Sequence, residues 1–328
     1  MITLAQAKVG MADKVDQNVI DTFRRSSLLL DALEFDNAIS PGTGGSTLTY
    51  GYIQLQSPST AGIREINEEF SPNEAVRVEK TTKAKILGGS FQLDRVIMQT
   101  DGAVDELAFQ TEQKIKATAN EFTNLVINGN SADEGAGVTG TFDGLDKLLT
   151  GSETEITSTV DISDSTKLDT AYNALLDEVD EFISKLADKP DMLLMNNKML
   201  TKLRAAARRA GYHKSELNEF GKQVDYYNGI VLLDAGVYYN GTSKKTEDII
   251  PIVEGATDIY AIKIGRNAFH GISPTGTKII QTYLPDLTEP GAVKDGEVEL
   301  IAGVALKDSN MAGVLRGVTI GGSSDPSM

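Results

Sequence analysis

Residues 47–93 read TLTYGYIQLQSPSTAGIREINEEFSPNEAVRVEKTTKAKILGGSFQL, and the pattern repeats every two residues. Leu48, Tyr50 and Tyr52 alternate with Thr49 and Gly51, the period of a strand. On the return, Val76, Val78, Lys80, Thr82, Ala84 and Ile86 take every second position, facing Arg77, Glu79, Thr81, Lys83 and Lys85. Ser71-Pro72-Asn73 breaks the path between the two runs. The pattern predicts one long β-hairpin whose middle is polar on both faces. A lone ribbon with so little apolar surface is marginal in water. It fits an arm that lies on another subunit; the other reading is a solvated edge hairpin of an ordinary sheet.

Before the hairpin, Val15, Val19, Ile20 and Phe23 recur at helical spacing, and the segment runs into the breaker cluster SPGTGGST at 40–47. After it, Asp101 can cap a long helix with Asp105 and Glu106 in its first turn, where the helix dipole favours acids. Its stripe is Val104, Ala108, Thr111, Ile115, Ala119, Phe122 and Val126, and Asn128-Gly129 stops it. About 25 residues at ~1.5 Å each give a rod of roughly 40 Å, suited to lie across a sheet as a spine. Gly135, Gly137 and Gly140 then match GxGxxG, but they follow a helix rather than a strand and open no helix, so they read as turns. Residues 42–47 resemble a P-loop without its Lys and are also read as a turn.

Residues 165–256 read as an α/β unit. Leu168, Tyr172, Leu175, Val179, Phe182, Ile183 and Leu186 form a helical stripe, with Thr166 and Asp169 spaced for a capping box. Pro190 ends it, Met192 to Met195 reads as a buried strand, and Asn196 or Asn197 caps a second helix that closes at Gly211. That helix carries Lys198, Lys202, Arg204, Arg208 and Arg209, which serve either as a solvated face or as an anion or subunit contact. A strand at Ile230 to Leu233 follows. Strand candidates Ile259–Ile264, Thr277–Tyr283, Glu297–Leu306 and Ala312–Ile320 make the last segment β-rich, and GGSSDPSM ends the chain.

Composition narrows the function. The 328 residues carry 31 Lys or Arg and 47 Asp or Glu, a formal charge of −16. Residues 100–165 hold 3 basic and 13 acidic groups. Free nucleic acid is a poor ligand for such a surface, because phosphate binding is driven by cations. No Cys is present, which excludes disulfides and thiolate chemistry, and two histidines, His213 and His270, cannot build a multi-histidine metal site. Each histidine reads as structural or surface. No GxSxG motif occurs, and Glu68-Glu69, adjacent in sequence, point to opposite faces of a strand. We therefore expect no catalytic, cofactor-binding or metal-binding residues, no cofactor and no enzyme activity. No apolar run approaches the length of a membrane span and no secretory leader is seen, so a soluble protein without membrane contact is expected.

Short stretches in a fixed order then carry a resemblance. They are Ser26-Ser27-Leu28-Leu29 with Leu33-Glu34-Phe35, Arg64-Glu65-Ile66-Asn67-Glu68, Leu87-Gly88-Gly89 with Leu93-Asp94, Ile127-Asn128-Gly129, Phe142-Asp143-Gly144-Leu145 and Val298-Glu299-Leu300-Ile301-Ala302-Gly303. With the order of parts, residues 3 to 320 resemble the major capsid proteins of tailed bacteriophages, whose α+β Johnson fold is shared by encapsulins and herpesvirus shell proteins. The resemblance implies an N-terminal arm at 1–46 and an E-loop β-hairpin arm at 47–95. A peripheral domain with the spine helix follows at 96–164 and an axial α/β domain at 165–256. Return strands of the peripheral domain fill 257–320, with a flexible tail at 321–328. It also implies a major capsid protein that self-assembles into hexamers and pentamers of an icosahedral phage head enclosing double-stranded DNA. An encapsulin-like cargo shell is the alternative, and an α/β enzyme a more distant one. Implied partners are the chain itself, a separate scaffolding protein, portal and decoration proteins, and packaged DNA held without tight specific binding. The implied location is the virion, after assembly in the host cytoplasm. Some relatives form a Lys–Asn crosslink; Lys80, Lys83 and Lys85 on the arm and Asn267 and Asn310 among the late strands are the residues available here, and no motif fixes a pairing.

Overall fold

The computed structural model describes residues 28–37, 39, 48–99, 106–133, 140–211, 214–217, 223–274, 279–286, 288 and 290–322. The helix expected around Val15 to Phe23, the capping Asp101 with Val104 and Asp105, residues 42–47, Gly135, Gly137 and His213 lie outside the described residues.

In chain order the elements are α1 (Leu28–Ala32), β1 (Phe35–Asp36), β2 (Thr49–Ser57), β3 (Val76–Lys83), β4 (Lys85–Asp94), α2 (Arg95–Gln99) and the spine helix α3 (Glu106–Asn128). Then come α4 (Leu145–Leu149), β5 (Glu155–Thr157), α5 (Ser165–Ser184), β6 (Met192–Met195), α6 (Asn197–Ala210), β7 (Lys214–Leu217), β8 (Gln223–Tyr227), β9 (Ile230–Asp234), β10 (Val237–Asn240) and β11 (Lys245–Asp248). The chain closes with β12 (Ala256–Ile262), β13 (Phe269–Ile272), β14 (Ile280–Tyr283), β15 (Val293–Leu306) and β16 (Ala312–Thr319).

The largest sheet runs β5-β16-β12-β6-β9-β8-β7. Its middle strand β6 shows why the run Met192-Leu193-Leu194-Met195 is unbroken in its apolarity. Leu193 and Met195 enter a core with Leu175, Val179 and Phe182 of α5 and Leu203 of α6. Met192 and Leu194 enter a second core with Phe122 of α3 and Leu145 and Leu149 of α4. A strand buried on both faces needs apolar side chains at consecutive positions rather than alternate ones. The sheet is thus a wall between two cores.

This wall corrects the expected division of the chain. Residues 257–320 were expected to return as a block to the spine-helix side. Instead β12 and β16 sit inside the seven-stranded sheet, with Tyr260 opposite Leu194 and Ile259 opposite Leu315. Only β13, β14 and β15 join the other sheet, with β1 and β4. Ile259, Tyr260, Ala261 and Ile262 are all buried. A run that feeds both faces says that a strand is interior, but not which strand lies beside it.

In the second sheet β15 is the long element. It pairs antiparallel with β4 from Val293–Asp94 to Ala302–Lys85, with β14 at Glu297–Leu300, and with β13 at Gly303–Leu306. The return strand of the expected hairpin is therefore two strands. β3 stays with β2, and after Ala84 the chain crosses onto β15 as β4. A Cβ at Gly88 would meet the Val298 carbonyl oxygen at 2.0 Å, so this close approach admits only glycine.

α3 lies on this sheet through Ile115, Ala119, Phe122 and Val126, at the spacing its sequence implies. Thr111, Thr118 and Thr123 share that face, and each hydroxyl donates to the carbonyl four residues earlier, at 2.7, 2.9 and 3.0 Å. A hydroxyl satisfied by its own helix can be buried on the apolar face. Phe35, Phe122 and Phe142 meet in succession at centroid distances of 6.3 and 6.0 Å, which joins two of the short sequence motifs on the spine. Asp164, rather than the box of Thr166 and Asp169, caps α5 by accepting from Lys167 N at 2.8 Å. Asn196 caps α6, and Gly211 closes it with φ 78°.

Candidate assembly surface

β2 and β3 form a two-stranded sheet of their own. Tyr52 lies opposite Lys80, Gln54 opposite Val78 and Leu55 opposite Arg77. At the root, Tyr50, Tyr52 and Ala84 close a small core with Ile39, Ile272 and Ala305. Bonds that fasten the root include Ala84 N to the Leu48 carbonyl at 2.8 Å, Thr82 Oγ1 to the Val304 carbonyl at 3.1 Å and the Tyr50 hydroxyl to Asp36 Oδ2 at 3.4 Å. Beyond the root, nothing among the described residues covers the stem. Ile53 is 68% exposed, and Leu55, Val76 and Val78 are also open to solvent. The expectation of two polar faces needs correction here. Cross-strand partners share a face, so Ile53 and Leu55 sit with Glu79 and Arg77 and give that face apolar content.

The tip, residues 58–75, folds on itself. Arg64 Nη1 donates to the carbonyls of Glu65 and Glu68 at 3.3 and 3.1 Å, and its guanidinium lies 5.3 Å from the centre of the Phe70 ring. Asn67 takes the left-handed turn position at φ 73°, and Asn73 Oδ1 accepts from Thr60 N at 2.9 Å. Arg64-Glu65-Ile66-Asn67-Glu68 is thus a local fold with its arginine at the centre. It holds Ile63 and Ile66 outward at 103% and 91% exposure. Large aliphatic side chains this exposed, grouped on a pre-shaped projection, mark a contact surface.

The acidic block is partly structural. Arg316 on β16 reaches Glu155 of β5 at 2.5 Å, Asp146 of α4 at 2.5 Å and Asp258 of β12 at 3.0 Å. Tyr260 donates to Asp146 Oδ1 at 3.1 Å, and burial pushes its phenol well above the ordinary range. The Gly151 N–H, then the Arg316 side chain, hold the Glu155 carboxyl below the usual carboxylate value. One arginine therefore ties three strands of the wall to the helix beside the spine.

Two cations of the basic helix α6 are paired with carboxylates and a third bonds a backbone carbonyl. Arg204 pairs with Asp225 at 2.5 Å, Arg209 with Asp169 at 2.6 Å, and Lys202 donates to the Ile162 carbonyl at 2.7 Å. Lys80 lies on the arm stem, Lys85 on β4, and Asn310 in the turn between β15 and β16, where its carbonyl accepts from Ala187 N at 2.9 Å. His270 is fully buried on β13. Among the described residues no group of three metal-ligating side chains occurs, and no helix is long and apolar enough to cross a membrane.

A subunit with two cores of its own and a projecting, preformed, partly apolar arm belongs to the class of self-assembling shell proteins. The sequence of residues 55–231 matches the SU10 major capsid protein family over just over half of the chain. The protein belongs to that family and is a capsid shell subunit that assembles with its own copies into capsomers. The holo-SrpI encapsulin complex from Synechococcus elongatus PCC 7942 shares the fold with TM-score 0.62 at 13% identity, covering 97% of this chain and 96% of that one. A chain of Mycobacterium phage Bobi gives 0.54 at 12% identity, covering 98% and 100%. The capsid of Myoviridae Phage XM1 gives 0.53 at 12%, covering 97% and 99%. At these identities the likeness is one of fold. A comparison with curated proteins gives no match.

Proposed function

We propose that the chain is the major capsid protein of a tailed-phage head, arranged as hexamers and pentamers in an icosahedral shell around double-stranded DNA. The observation that carries this reading is the arm, whose exposed Ile53, Leu55, Ile63 and Ile66 have no place in the cores of their own subunit. The ribbon of β2 and β3 with its tip acts as the E-loop that crosses a neighbour, the seven-stranded sheet with α5 and α6 as the axial unit around five- and six-fold axes, and the spine helix with the second sheet as the peripheral unit. One chain can then accept several related neighbours, as a closed shell of identical copies requires. The role is structural rather than enzymatic. A separate scaffolding protein, a portal and decoration proteins complete assembly in the host cytoplasm.

The −16 charge and the internal pairing of the α6 cations support an inner surface that lets packaged DNA move rather than binding it tightly. The encapsulin fold likeness favours a cargo shell as second reading, while the family match is to a capsid protein. Negative-stain micrographs of the purified chain, alone and with a co-expressed scaffold, test the proposal. Closed shells with five- and six-fold capsomers are expected. A subunit that stays monomeric at every concentration and with scaffold present overturns it.

A further inference from the structure

His270 lies at the arm's root, fully shielded from solvent. Its Nδ1 is 3.4 Å from the Ala268 carbonyl oxygen, and its Nε2 has no hydrogen-bond partner among the described residues. Tyr50, the first buried side chain of the arm, meets the imidazole edge-on at 5.7 Å. The Tyr50 hydroxyl is 3.4 Å from Asp36 Oδ2 on β1, and the Lys307 ammonium is 5.7 Å from the Tyr50 ring centre. The charged groups facing His270 are Lys307 from the turn after β15, Arg266 from the loop before β13, and Asp36 from β1. Two of the three are cations.

We propose that the His270–Tyr50 joint is an acid-sensitive latch, which holds the root of the arm on the sheet and releases it when the imidazole takes up a proton. A neutral imidazole fits this site with one weak bond. An imidazolium has two N–H donors and a charge, and it requires water or an anion at Nε2. Its own strand and two neighbours are locked into the sheet: β13 pairs with both β1 and β15. Among the described residues β2 pairs only with β3. Of the elements packed on the imidazole, the one carrying Tyr50 is therefore the freest to move and admit water to the ring. The movement would swing the arm, opening the small root core and the bonds from Tyr50 to Asp36 and from Thr82 to Val304, and leave the two large cores closed.

Burial holds His270 below its ordinary value; Lys307 and Arg266 act in the same direction, while the Ala268 carbonyl and Asp36 oppose them. In the open arm the group titrates near ~6.5. The closed state is thus fully favoured above that value. As pH falls below it, the open form takes up its proton first. The open-to-closed ratio rises by up to about tenfold per pH unit, until the lowered value of the closed form is reached.

Hydrogen exchange on the full-length, unassembled subunit between pH 7.5 and 5.0 tests this independently of shell formation. His270→Phe keeps a ring and removes both nitrogens. Dividing wild-type by variant rates at each pH cancels the intrinsic pH dependence of exchange. The ratio is expected to rise about three- to tenfold for β2 and β3 amides between pH 6.5 and 5.0, and to stay flat for β6. A flat ratio at the arm overturns the latch. In a second measurement, His213→Gln leaves one imidazole for NMR titration, and its midpoint should fall below 6.5. A midpoint at or above 6.5 overturns the latch, even if His270→Phe folds poorly.

Discussion

Strand β6 and the stem of the arm carry similar apolar loads with opposite fates. Met192, Leu193, Leu194 and Met195 are all buried, alternating between two cores. Ile53, Leu55, Val76 and Val78 all face solvent on a two-stranded ribbon, with no third strand among the described residues. Buried apolar area is the main source of folding stability. The wall therefore stabilises the subunit, whereas the arm's apolar surface is available to a second copy. Substitutions in the two regions should separate two measurements, subunit stability and shell yield. The following are ordered by their expected effect on subunit stability.

Leu193→Ala opens a cavity at a fully buried position between β6 and the helices α5 and α6. It should destabilise the unassembled subunit by about 2–5 kcal/mol, read from denaturant unfolding. A loss below about 1 kcal/mol would mean that the wall is looser than its packing implies. Arg316→Met should have a smaller effect, about 1–3 kcal/mol, because the arginine retains 24% exposure and solvent screens its pairs. It leaves Asp146, Glu155 and Asp258 facing one another. The variant also tests a pH dependence. Glu155 has a lowered value in the folded chain, so its contribution is present above ~4.5 and is lost as pH falls through the lowered value. Without Arg316 that acid-side loss should shrink but persist, since the Gly151 N–H is the larger cause. An unchanged acid limb would remove Arg316 from the account.

The sequence made the two regions legible to different degrees, for physical reasons. Helices α3 and α5 show in the 3.6-residue stripe because each buries one face, and α6 shows in its Asn cap and its closing Gly211. Met192 to Met195 shows as a strand because both its faces are covered. The membership of β12 and β16 in the wall does not show, since pairing partners leave no trace in periodicity. β13 escaped notice because Phe269-His270-Gly271-Ile272 is short and mixed, although all four residues are buried. The arm was legible as a projection because its alternation lacks an apolar face long enough for a core. Its tip was not, because the stacking of Arg64 on Phe70 joins residues six apart through a turn that no short pattern announces.

Removing residues 55–77 and joining Gln54 to Val78 through a two-residue Asn-Gly turn should change subunit stability little. The root keeps Tyr50, Tyr52, Ala84 and the bond from Thr82 to Val304, and Asn-Gly suits a two-residue hairpin. Circular dichroism should remain close to normal and unfolding cooperative, while closed shells disappear from micrographs. Global unfolding of the variant would place the arm inside the subunit's own core. Normal shells would deny it any role between subunits.

The smallest stability effect should come from Ile63→Ser combined with Ile66→Ser. Both side chains are essentially as exposed as in an unfolded chain, so replacing them removes no packing within the subunit. Surface changes of this kind stay within about 0.5 kcal/mol. The backbone of the tip should persist, because Arg64, Phe70, Asn67 and Asn73 hold it and none is altered. If the tip is the end of the arm that seats on a neighbour, the two isoleucines are its anchors, and anchors of this kind carry most of a contact's energy. The contact recurs in every copy, so a small loss at each is multiplied across the shell. Shell yield by sedimentation should therefore fall at least about tenfold with the melting curve unmoved. A shift of more than about 1 kcal/mol would mean that the tip packs within its own subunit. Unchanged yield would move the anchoring role back along the stem, to Ile53 and Leu55.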